Sequence, residues 1–317
     1  MAAAQIAICV PTFRREALLR NCLACVQTMR VPEGFARTLI VGDNDPAGGA
    51  AEAVRQVAGD LPARHVVEGV RGVAAVRNRL IEAALEVHAD WIAFFDDDSE
   101  PDRDWLVEAM AAAARYAADV VAGPVLCRLP PAGPDTCVRW AYERQNRKVE
   151  QLAEGVTDMY VPTTAVMFGA RFVRPPAGLR FDMTFNAMGG EDGDFFDRLR
   201  GHGARVAWAR KAVTVEVVHP HRLLVSDYVR RCYAEGVRTY AAHRRRNPGV
   251  WTALRYAGKA FPKAADGAGC ACGGLFSARC RCRALKHFAR AAAYLAAPLG
   301  LESRYYLTDR TGGGSAP

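Results

Sequence analysis

The sequence predicts an α/β protein whose mixed, mostly parallel sheet is flanked by helices, with a basic helical extension at the C-terminus. Short apolar runs alternate with segments of helical period through the first 125 residues, which is the pattern of repeated strand–helix units. Half of the 317 residues are hydrophobic, enough for one large domain or for one domain with an appendage. Polar residues follow several of the apolar runs directly, which indicates a ligand site at the carboxyl ends of the strands.

Each element of the first half is predicted from its hydrophobic period. The first strand covers Ile6 to Phe13, and the helix after it, residues 15–29, has apolar side chains three and four positions apart. Three further strand–helix steps follow before a last apolar strand. The later strands are predicted at residues 38–45, 63–69, 90–95 and 118–126, and the later helices at residues 48–58, 72–87 and 101–116.

The second half of the chain is less regular. The predicted order is a Pro/Gly-rich loop at 128–137, a helix at 138–155, a strand with turns at 159–173, a helix at 191–203 and a strand at 204–209. Two basic amphipathic segments follow, and the Gly-rich stretch from Asp266 to Leu275 between them predicts a flexible linker.

The net charge of +8 is concentrated near the C-terminus. Residues 228–290 contain 14 Lys and Arg but only two Asp and Glu, so the rest of the chain is net acidic. A basic, partly apolar segment favours an anionic membrane surface or a phosphate-bearing partner, and a solvated basic face is the alternative. Few aromatic residues lie among these basic ones, so we do not expect nucleic-acid binding.

Two further features concern location. The start of the sequence resembles a strand rather than a signal peptide, and no uncharged apolar run reaches about 18 residues, the length of a membrane span. The ten cysteines are scattered, as in reduced cytosolic proteins. We therefore expect a cytoplasmic protein, peripheral on the inner face of the cell membrane. The pairs Cys270/Cys272 and Cys280/Cys282 have poor spacing for zinc, and the sequence does not decide whether they bind metal.

Three consecutive carboxylates follow the apolar strand that ends at Phe95. Asp96 and Asp98 point the same way in an extended segment, and Asp97 points the other way, for instance toward a ribose hydroxyl. A hard cation takes one or two such carboxylates and completes its shell with phosphate oxygens and water. Capping of the next helix is the alternative, but a cap does not need three acids. The pattern predicts a site for a divalent cation, Mn²⁺ or Mg²⁺, that holds a phosphate.

A second acidic group lies in the run Gly189-Gly190-Glu191-Asp192-Gly193. A tight glycine turn delivers two carboxylates to the start of a helix, where one can act as a general base toward a hydroxyl. Helix capping is again the alternative.

At these residues the chain resembles the family 2 glycosyltransferases of the GT-A fold, over about residues 5–240. Four segments match in order, namely "VPTFRRE" at 10–16, "IVGDND" at 40–45, "RNRLIEAA" before "DWIAFFDDDSEPDRDWL", and "GGEDGDFFDRLRGHG". The combination is most similar to exopolysaccharide glycosyltransferases of the succinoglycan type. The resemblance implies a catalytic domain at 1–245, with a nucleotide-binding half at 1–125 and an acceptor half at 126–245, and a basic amphipathic extension at 246–317.

The resemblance also implies roles for particular residues. Pro11, Thr12, Arg14 and Glu16 would line the nucleotide pocket, Asp43 would accept from the uracil imide N–H, and Arg77 would approach the diphosphate. Asp96 to Asp98 would form the DxD element, with Asp98 as a direct metal ligand, and His219 is a further candidate ligand. Asp192 would be the base and Glu191 would help to hold the acceptor or the base. The implied reaction transfers a sugar, with inversion, from a nucleotide-sugar donor, UDP-sugar being favoured. The implied acceptor is a lipid-linked saccharide or another cell-surface polysaccharide.

The sequence departs from the family pattern at two places, and it leaves two alternative functions open. Ala165 stands where many relatives carry an amide, and the second strand ends in "GDNDP" rather than "DDGS". A metal-dependent nucleotidyltransferase would show a glycine-rich phosphate loop after the first strand, and "PTFRRE" contains no glycine. The other rival is a membrane- or nucleic-acid-binding module on an inactive scaffold, which the intact acids at both sites disfavour.

Overall fold

The computed structural model describes residues 3–131, 136–159, 161–186, 189–274 and 277–301. Part of the predicted loop at 128–137, the end of the predicted linker and the last 16 residues of the extension, 302–317, lie outside the described residues. The strands are β1 (Ala4–Thr12), β2 (Phe35–Asp43), β3 (Ala63–Val67), β4 (Trp91–Phe95), β5 (Ser99–Pro101), β6 (Val120–Ala122), β7 (Val125–Arg128), β8 (Gly155–Val156), β9 (Ala165–Gly169), β10 (Val206–Trp208) and β11 (Thr214–Val217). The α-helices are α1 (Glu16–Thr28), α2 (Ala51–Ala58), α3 (Val73–Glu86), α4 (Trp105–Tyr116), α5 (Thr136–Glu150), α6 (Glu191–Gly201), α7 (Val225–Arg246), α8 (Val250–Cys272) and α9 (Ala278–Ala296).

The main sheet has the strand order β3-β2-β1-β4-β9-β6-β10-β8. The four strands from β3 to β4 are parallel, β9 is antiparallel to both of its neighbours, and β10 runs parallel to β6. The register sets Thr12 beside Asp43 and Cys9 beside Phe94, so the carboxyl ends of β1, β2 and β4 meet at one edge. The predicted mixed, mostly parallel α/β sheet is confirmed.

Two hydrophobic cores cover the two faces of this sheet. Alternate side chains of β1 point to opposite faces, so Ile6 and Ile8 join the core under α1 and α4, whereas Ala7 and Cys9 join the core under α3 and α6. Phe95 packs edge-on against Trp105 in the first core at a ring distance of 4.8 Å. Strands covered on both faces read as continuous apolar runs, which is why "WIAFF" has no polar interruption.

A small second sheet of order β5-β11-β7 stands beside the carboxyl ends of the main sheet. The single strand predicted at 118–126 is therefore wrong in one respect, because the chain changes sheets at Gly123 and Pro124. A Cβ at Gly123 would lie 1.9 Å from the carbonyl oxygen of Ala212, so only glycine permits this close passage. The crossing brings Glu216 on β11 to the edge where the aspartates lie.

The C-terminal helices pack on the rest of the chain. Tyr256 of α8 and Tyr294 of α9 join Tyr240 of α7 in one buried cluster, and Cys282 of α9 joins another cluster with α5. The predicted flexible linker at 266–275 is wrong for residues 266–272, because α8 continues to Cys272. The predicted boundary between the catalytic domain and the C-terminal extension, at residue 246, falls at the end of α7. This boundary stays a prediction.

The extension also exposes apolar side chains. On α8, Val250, Trp251, Leu254 and Phe261 are all more than half exposed, and they lie on the face opposite the buried residues of that helix. On α9, Phe288 and Leu295 are also exposed. Within the described part of the chain, no helix combines the length and the apolar character that crossing a bilayer requires.

Candidate active site

A cavity of about 450 Å³ opens at the carboxyl ends of β1 and β4, between the main sheet, the small sheet and α6. Eight of the residues predicted from sequence line it, namely Pro11, Thr12, Arg77, Asp96, Asp97, Asp98, Glu191 and Asp192. The carboxyl ends of parallel strands meet at such an edge, which brings residues from distant parts of the chain together.

Asp97 is held by groups from the first strand and the loop after it. Thr12 Oγ1 donates a hydrogen bond to Asp97 Oδ2 at 2.8 Å, and Arg15 Nη1 donates to Asp97 Oδ1 at 3.2 Å. Burial raises the pKa of the Asp97 carboxyl, and Arg15 opposes that rise. This carboxylate is therefore fixed in place by the chain.

Asp98 has weaker partners. Its Oδ2 lies 3.5 Å from Arg15 Nη1 and 3.6 Å from Arg222 Nη2, beyond good hydrogen-bond distance. Burial, and next the charge of Asp97, raise the pKa of the Asp98 carboxyl to about 7. A further cation against this side chain would favour its ionised form.

Asp96 begins a chain of charges that leads to α6. Thr164 Oγ1 donates to Asp96 Oδ2 at 2.9 Å, and Arg77 Nη2 donates to Asp96 Oδ1 at 3.3 Å. Arg77 also forms a close ion pair with Glu191, and both side chains are only 6% exposed. The Glu191 Oε2 atom is buried without a hydrogen-bond partner among the described residues, so it has capacity to accept one from a ligand.

Asp192 lies in the first turn of α6, after the two glycines of the predicted turn. Gly189 and Gly190 have φ of +74° and +97°, a region that favours glycine. Asp192 Oδ1 accepts a hydrogen bond from the backbone N–H of Gly193 at 2.8 Å, and the side chain faces the cavity. A carboxylate oriented in this way can receive a proton from a bound hydroxyl.

The donor set suits a divalent cation that is shared with a ligand. Across the described residues, no group of three or more His, Cys, Asp or Glu side chains is arranged to enclose a metal ion by itself. Mg²⁺ and Mn²⁺ in nucleotide sites usually take only one or two carboxylates, with phosphate oxygens and water in the other positions. Asp98, and Asp96 with a side chain 32% exposed on the cavity wall, can provide that pair.

Three other predicted residues lie outside the cavity wall. Both oxygens of buried Asp43 accept backbone hydrogen bonds, from Asp45 at 3.0 Å and Ala50 at 2.9 Å. Arg14 pairs with Asp45 at 2.6 Å, and Glu16 pairs with a neighbouring arginine on the exposed side of α1. The structure does not bring these three side chains into the cavity, and their nucleotide contacts stay predictions.

The histidine nearest the cavity is not the predicted one. His221 lines the cavity, and its Nδ1 lies 2.7 Å from Nδ1 of His219, which stands behind it. Burial, followed by the charges of Arg15 and Arg222, lowers the pKa of His219 and favours its neutral form. Metal binding by His219 stays a prediction.

Several lining residues were not predicted. Arg15 and Arg71 contribute positive charge, and the Arg71 guanidinium stacks 3.3 Å from the centre of the Phe13 ring. Asn44 accepts from the Gly72 N–H at 2.7 Å and so joins the second strand to the start of α3. Arg15 and Asn44 lie inside quoted motifs, and Arg71 follows the third predicted strand, so position after a strand was the available signal. Arg238, which also lines the cavity, comes from α7 and has no such signal.

The fold and the cavity together define an α/β protein with a carboxylate-rich site at the carboxyl ends of its parallel strands. The chain belongs to glycosyl transferase family 2, whose model it matches over residues 7–171. It is 27% identical over 234 residues to the succinoglycan biosynthesis protein ExoM of Rhizobium meliloti, an alignment that covers 73% of this chain and 72% of that protein. The predicted family and its succinoglycan-type resemblance are confirmed.

Solved structures agree on the fold. The mannosyltransferase PcManGT from Pyrobaculum calidifontis, in complex with GDP-Man and Mn²⁺, has a TM-score of 0.56 at 19% identity, covering 96% of this chain and 78% of that one. Residues 1–349 of S. aureus TarS, in complex with UDP, have a TM-score of 0.53 at 13% identity, covering 94% of this chain and 92% of that one. These structural similarities show that the chain has the GT-A fold. Sequence identities this low do not by themselves show a shared activity.

Proposed function

We propose that this glycosyltransferase uses a UDP-sugar donor and a divalent cation, and that it transfers the sugar with inversion to a lipid-linked saccharide. The observation that supports the proposal most is the convergence of Asp98, Arg77 and Asp192 on one cavity. Acids for a cation, a buried arginine and a carboxylate at a helix start are the groups that such a transfer needs.

The donor would lie with its diphosphate among the cations of the cavity. Arg15, Arg77 and Arg222 surround the aspartates, and each contacts at least one of them. A divalent cation held by Asp96 and Asp98 would add charge neutralisation of the departing diphosphate when bound. TarS complexes with UDP and the PcManGT complex with Mn²⁺ support this donor class and this cofactor class.

Asp192 would accept the proton of the attacking acceptor hydroxyl. Its position at the α6 N-terminus fixes the carboxylate, and the nearby Glu191 is held by Arg77. A single attack from the face opposite the leaving group inverts the anomeric carbon, so an α-linked donor would give a β-linked product.

The proposed acceptor places the enzyme at a membrane. ExoM, a relative of this chain, is named for succinoglycan biosynthesis. The exposed apolar face of α8, with Trp251 80% and Phe261 73% exposed, suits burial in the interface of an anionic membrane. The basic charge of residues 228–290 would add electrostatic attraction to anionic lipids.

Binding of the donor nucleotide tests the first part of the proposal. We expect the protein to bind UDP in the presence of Mn²⁺ and to lose that binding with EDTA or in Asp98→Asn. Asp60→Asn is the matched control, because it removes the same charge from an exposed position outside the cavity. Preference for GDP over UDP would indicate a GDP-sugar donor instead of a UDP-sugar donor. If Asp98→Asn bound UDP as tightly as the unchanged protein, Asp98 would not be part of the site.

Vesicle flotation tests the membrane part separately. Trp251→Glu combined with Phe261→Glu should abolish binding to vesicles that contain phosphatidylglycerol. Val156→Glu is the control, because Val156 is also an exposed apolar residue, at 52%, but lies on β8. Unchanged flotation of the α8 variant would contradict membrane attachment through this face.

A further inference from the structure

A second cavity of about 530 Å³ lies between α5, α7 and α9. Its wall shares Glu216, Arg222 and Arg238 with the first cavity, so the two are neighbours. The helix α9 belongs to the C-terminal extension, outside the segment that matches the family model. Nothing in the proposed donor site explains why the extension should help to build a cavity here.

The charge of this cavity is strongly positive. Seven basic side chains line it, namely Arg144, Lys148, Arg222, Arg231, Arg238, Arg283 and Lys286. Its two carboxylates, Glu216 and Glu235, already have arginine partners in Arg222 and Arg290. Among the described residues, the two cations from α5 and the two from α9 form no ion pair. The cavity therefore has a surplus of positive charge that the protein itself does not neutralise.

One of these cations is held in position by the chain. Arg231 Nε lies 3.0 Å from buried Asp227, and Arg231 Nη2 donates to the Arg222 carbonyl at 3.0 Å. The guanidinium carbon lies 5.2 Å from the ring centre of Tyr142. Tyr142 is 6% exposed, and its hydroxyl has no hydrogen-bond partner of good geometry in the described part of the chain. A fixed arginine packed against a buried tyrosine distinguishes this cavity from a solvated basic face.

We propose that the second cavity binds a phosphate-type anion, a phosphodiester or a diphosphate, on the acceptor. Four uncompensated cations suit a multiply charged group better than a single carboxylate, and arginine forks match phosphate oxygens. The shared wall with the first cavity would let the sugar end of the same molecule reach Asp192 while the donor occupies the aspartate site. The inference rests on the proposed function, to which it adds the site that recognises the acceptor.

Calorimetric titration of the full-length protein tests the proposal. Saturating UDP and Mn²⁺ fill the first cavity, and inorganic pyrophosphate or geranyl diphosphate is then titrated. The double variant Arg283→Ala/Lys286→Ala should weaken diphosphate binding by about tenfold or more, as expected for two lost charge-assisted contacts. The control Arg279→Ala removes one positive charge from an exposed position of α9 that lines neither cavity, and it should bind normally.

The possible outcomes answer two questions, namely whether the second cavity binds a phosphate group and which kind of molecule carries that group. Tighter binding of geranyl diphosphate than of pyrophosphate would identify a lipid-linked diphosphate, and equal binding would identify the phosphate group alone. Should the double variant fold poorly by circular dichroism, Lys148→Ala at an exposed position of α5 decides in its place. Diphosphate affinity that is undetectable, or equal in all variants, overturns the proposal. Failure of UDP to bind would instead overturn the donor assignment. The affinity of the same variants for diphosphate, titrated without UDP, would still test the second cavity.

Discussion

The buried ion pair between Arg77 and Glu191 joins α3 to α6 across the cavity, and its removal should affect the two partners unequally. Both side chains are 6% exposed. Arg77→Met leaves Glu191 buried without its cation and leaves Asp96 without the same partner, so we expect a loss of about 3–5 kcal/mol in the free energy of unfolding. Glu191→Gln leaves Arg77 with Asp96, 3.3 Å away, and should cost about 1–2 kcal/mol.

The double variant Arg77→Met/Glu191→Gln makes the test specific. It removes the buried charge together with its partner, so it should be more stable than Arg77→Met alone, with a coupling energy of about 1–3 kcal/mol. Urea denaturation followed by circular dichroism measures all three values. The control Arg20→Met breaks an exposed pair with Glu16 and should cost less than about 1 kcal/mol. A loss below about 1 kcal/mol for Arg77→Met, or strictly additive losses, would refute the reasoning.

Two further predictions concern pH and close packing. Partial burial opposes ionisation of Asp182, but hydrogen bonds from Thr184 and Arg245 outweigh it and lower the pKa of the carboxyl to about 2. Asp182 therefore contributes stability above pH 4 that is lost as the pH falls from about 4 to 2. The shift corresponds to at most about 2.5 kcal/mol at about 1.4 kcal/mol per pKa unit, and solvent screening of this partly exposed pair lowers that figure. Urea denaturation should show Asp182→Asn losing stability at pH 6 and little at pH 2.5, and an equal loss at both would contradict this. Gly123→Ala places a Cβ 1.9 Å from a backbone carbonyl oxygen and should lower the free energy of unfolding by about 1–3 kcal/mol or more. Gly49→Ala, with nothing within 4 Å, is its control in a thermal melt, and equal melting temperatures would show that the backbone relaxes freely.

Hydrophobic period and the positions of acids predicted much of the fold and of the cavity. A buried strand that runs into Asp96–Asp98 placed those acids at the carboxyl edge of the sheet, and the glycine turn placed Asp192 at a helix start. These features are local, since each depends on residues a few positions apart. The family was recognisable for the same reason, because its characteristic segments are short and contiguous.

What could not be predicted depends on contacts between distant parts of the chain. Gly267 indicated a flexible linker, but its missing side chain makes room for Phe288 of α9, where a Cβ would lie 2.9 Å from the ring. Glycine is common both where helices pack closely and in flexible linkers. Only the side chain that packs against the glycine distinguishes the two cases. Similarly, the approach of Arg238 to the cavity depends on how α7 packs, which no local spacing records.

The central claim is that the first cavity, which contains Asp96–Asp98, binds a nucleotide sugar together with a divalent cation. The enzyme then breaks the bond between the sugar and the diphosphate. The most direct measurement is nucleotide release from a panel of UDP- and GDP-sugars by the purified protein, with Mn²⁺, with Mg²⁺ and with EDTA, alongside Asp98→Asn and Asp60→Asn. We predict metal-dependent release of UDP from one donor by the unchanged protein and by Asp60→Asn, and none by Asp98→Asn. Metal-independent release, or full release by Asp98→Asn, would contradict the account.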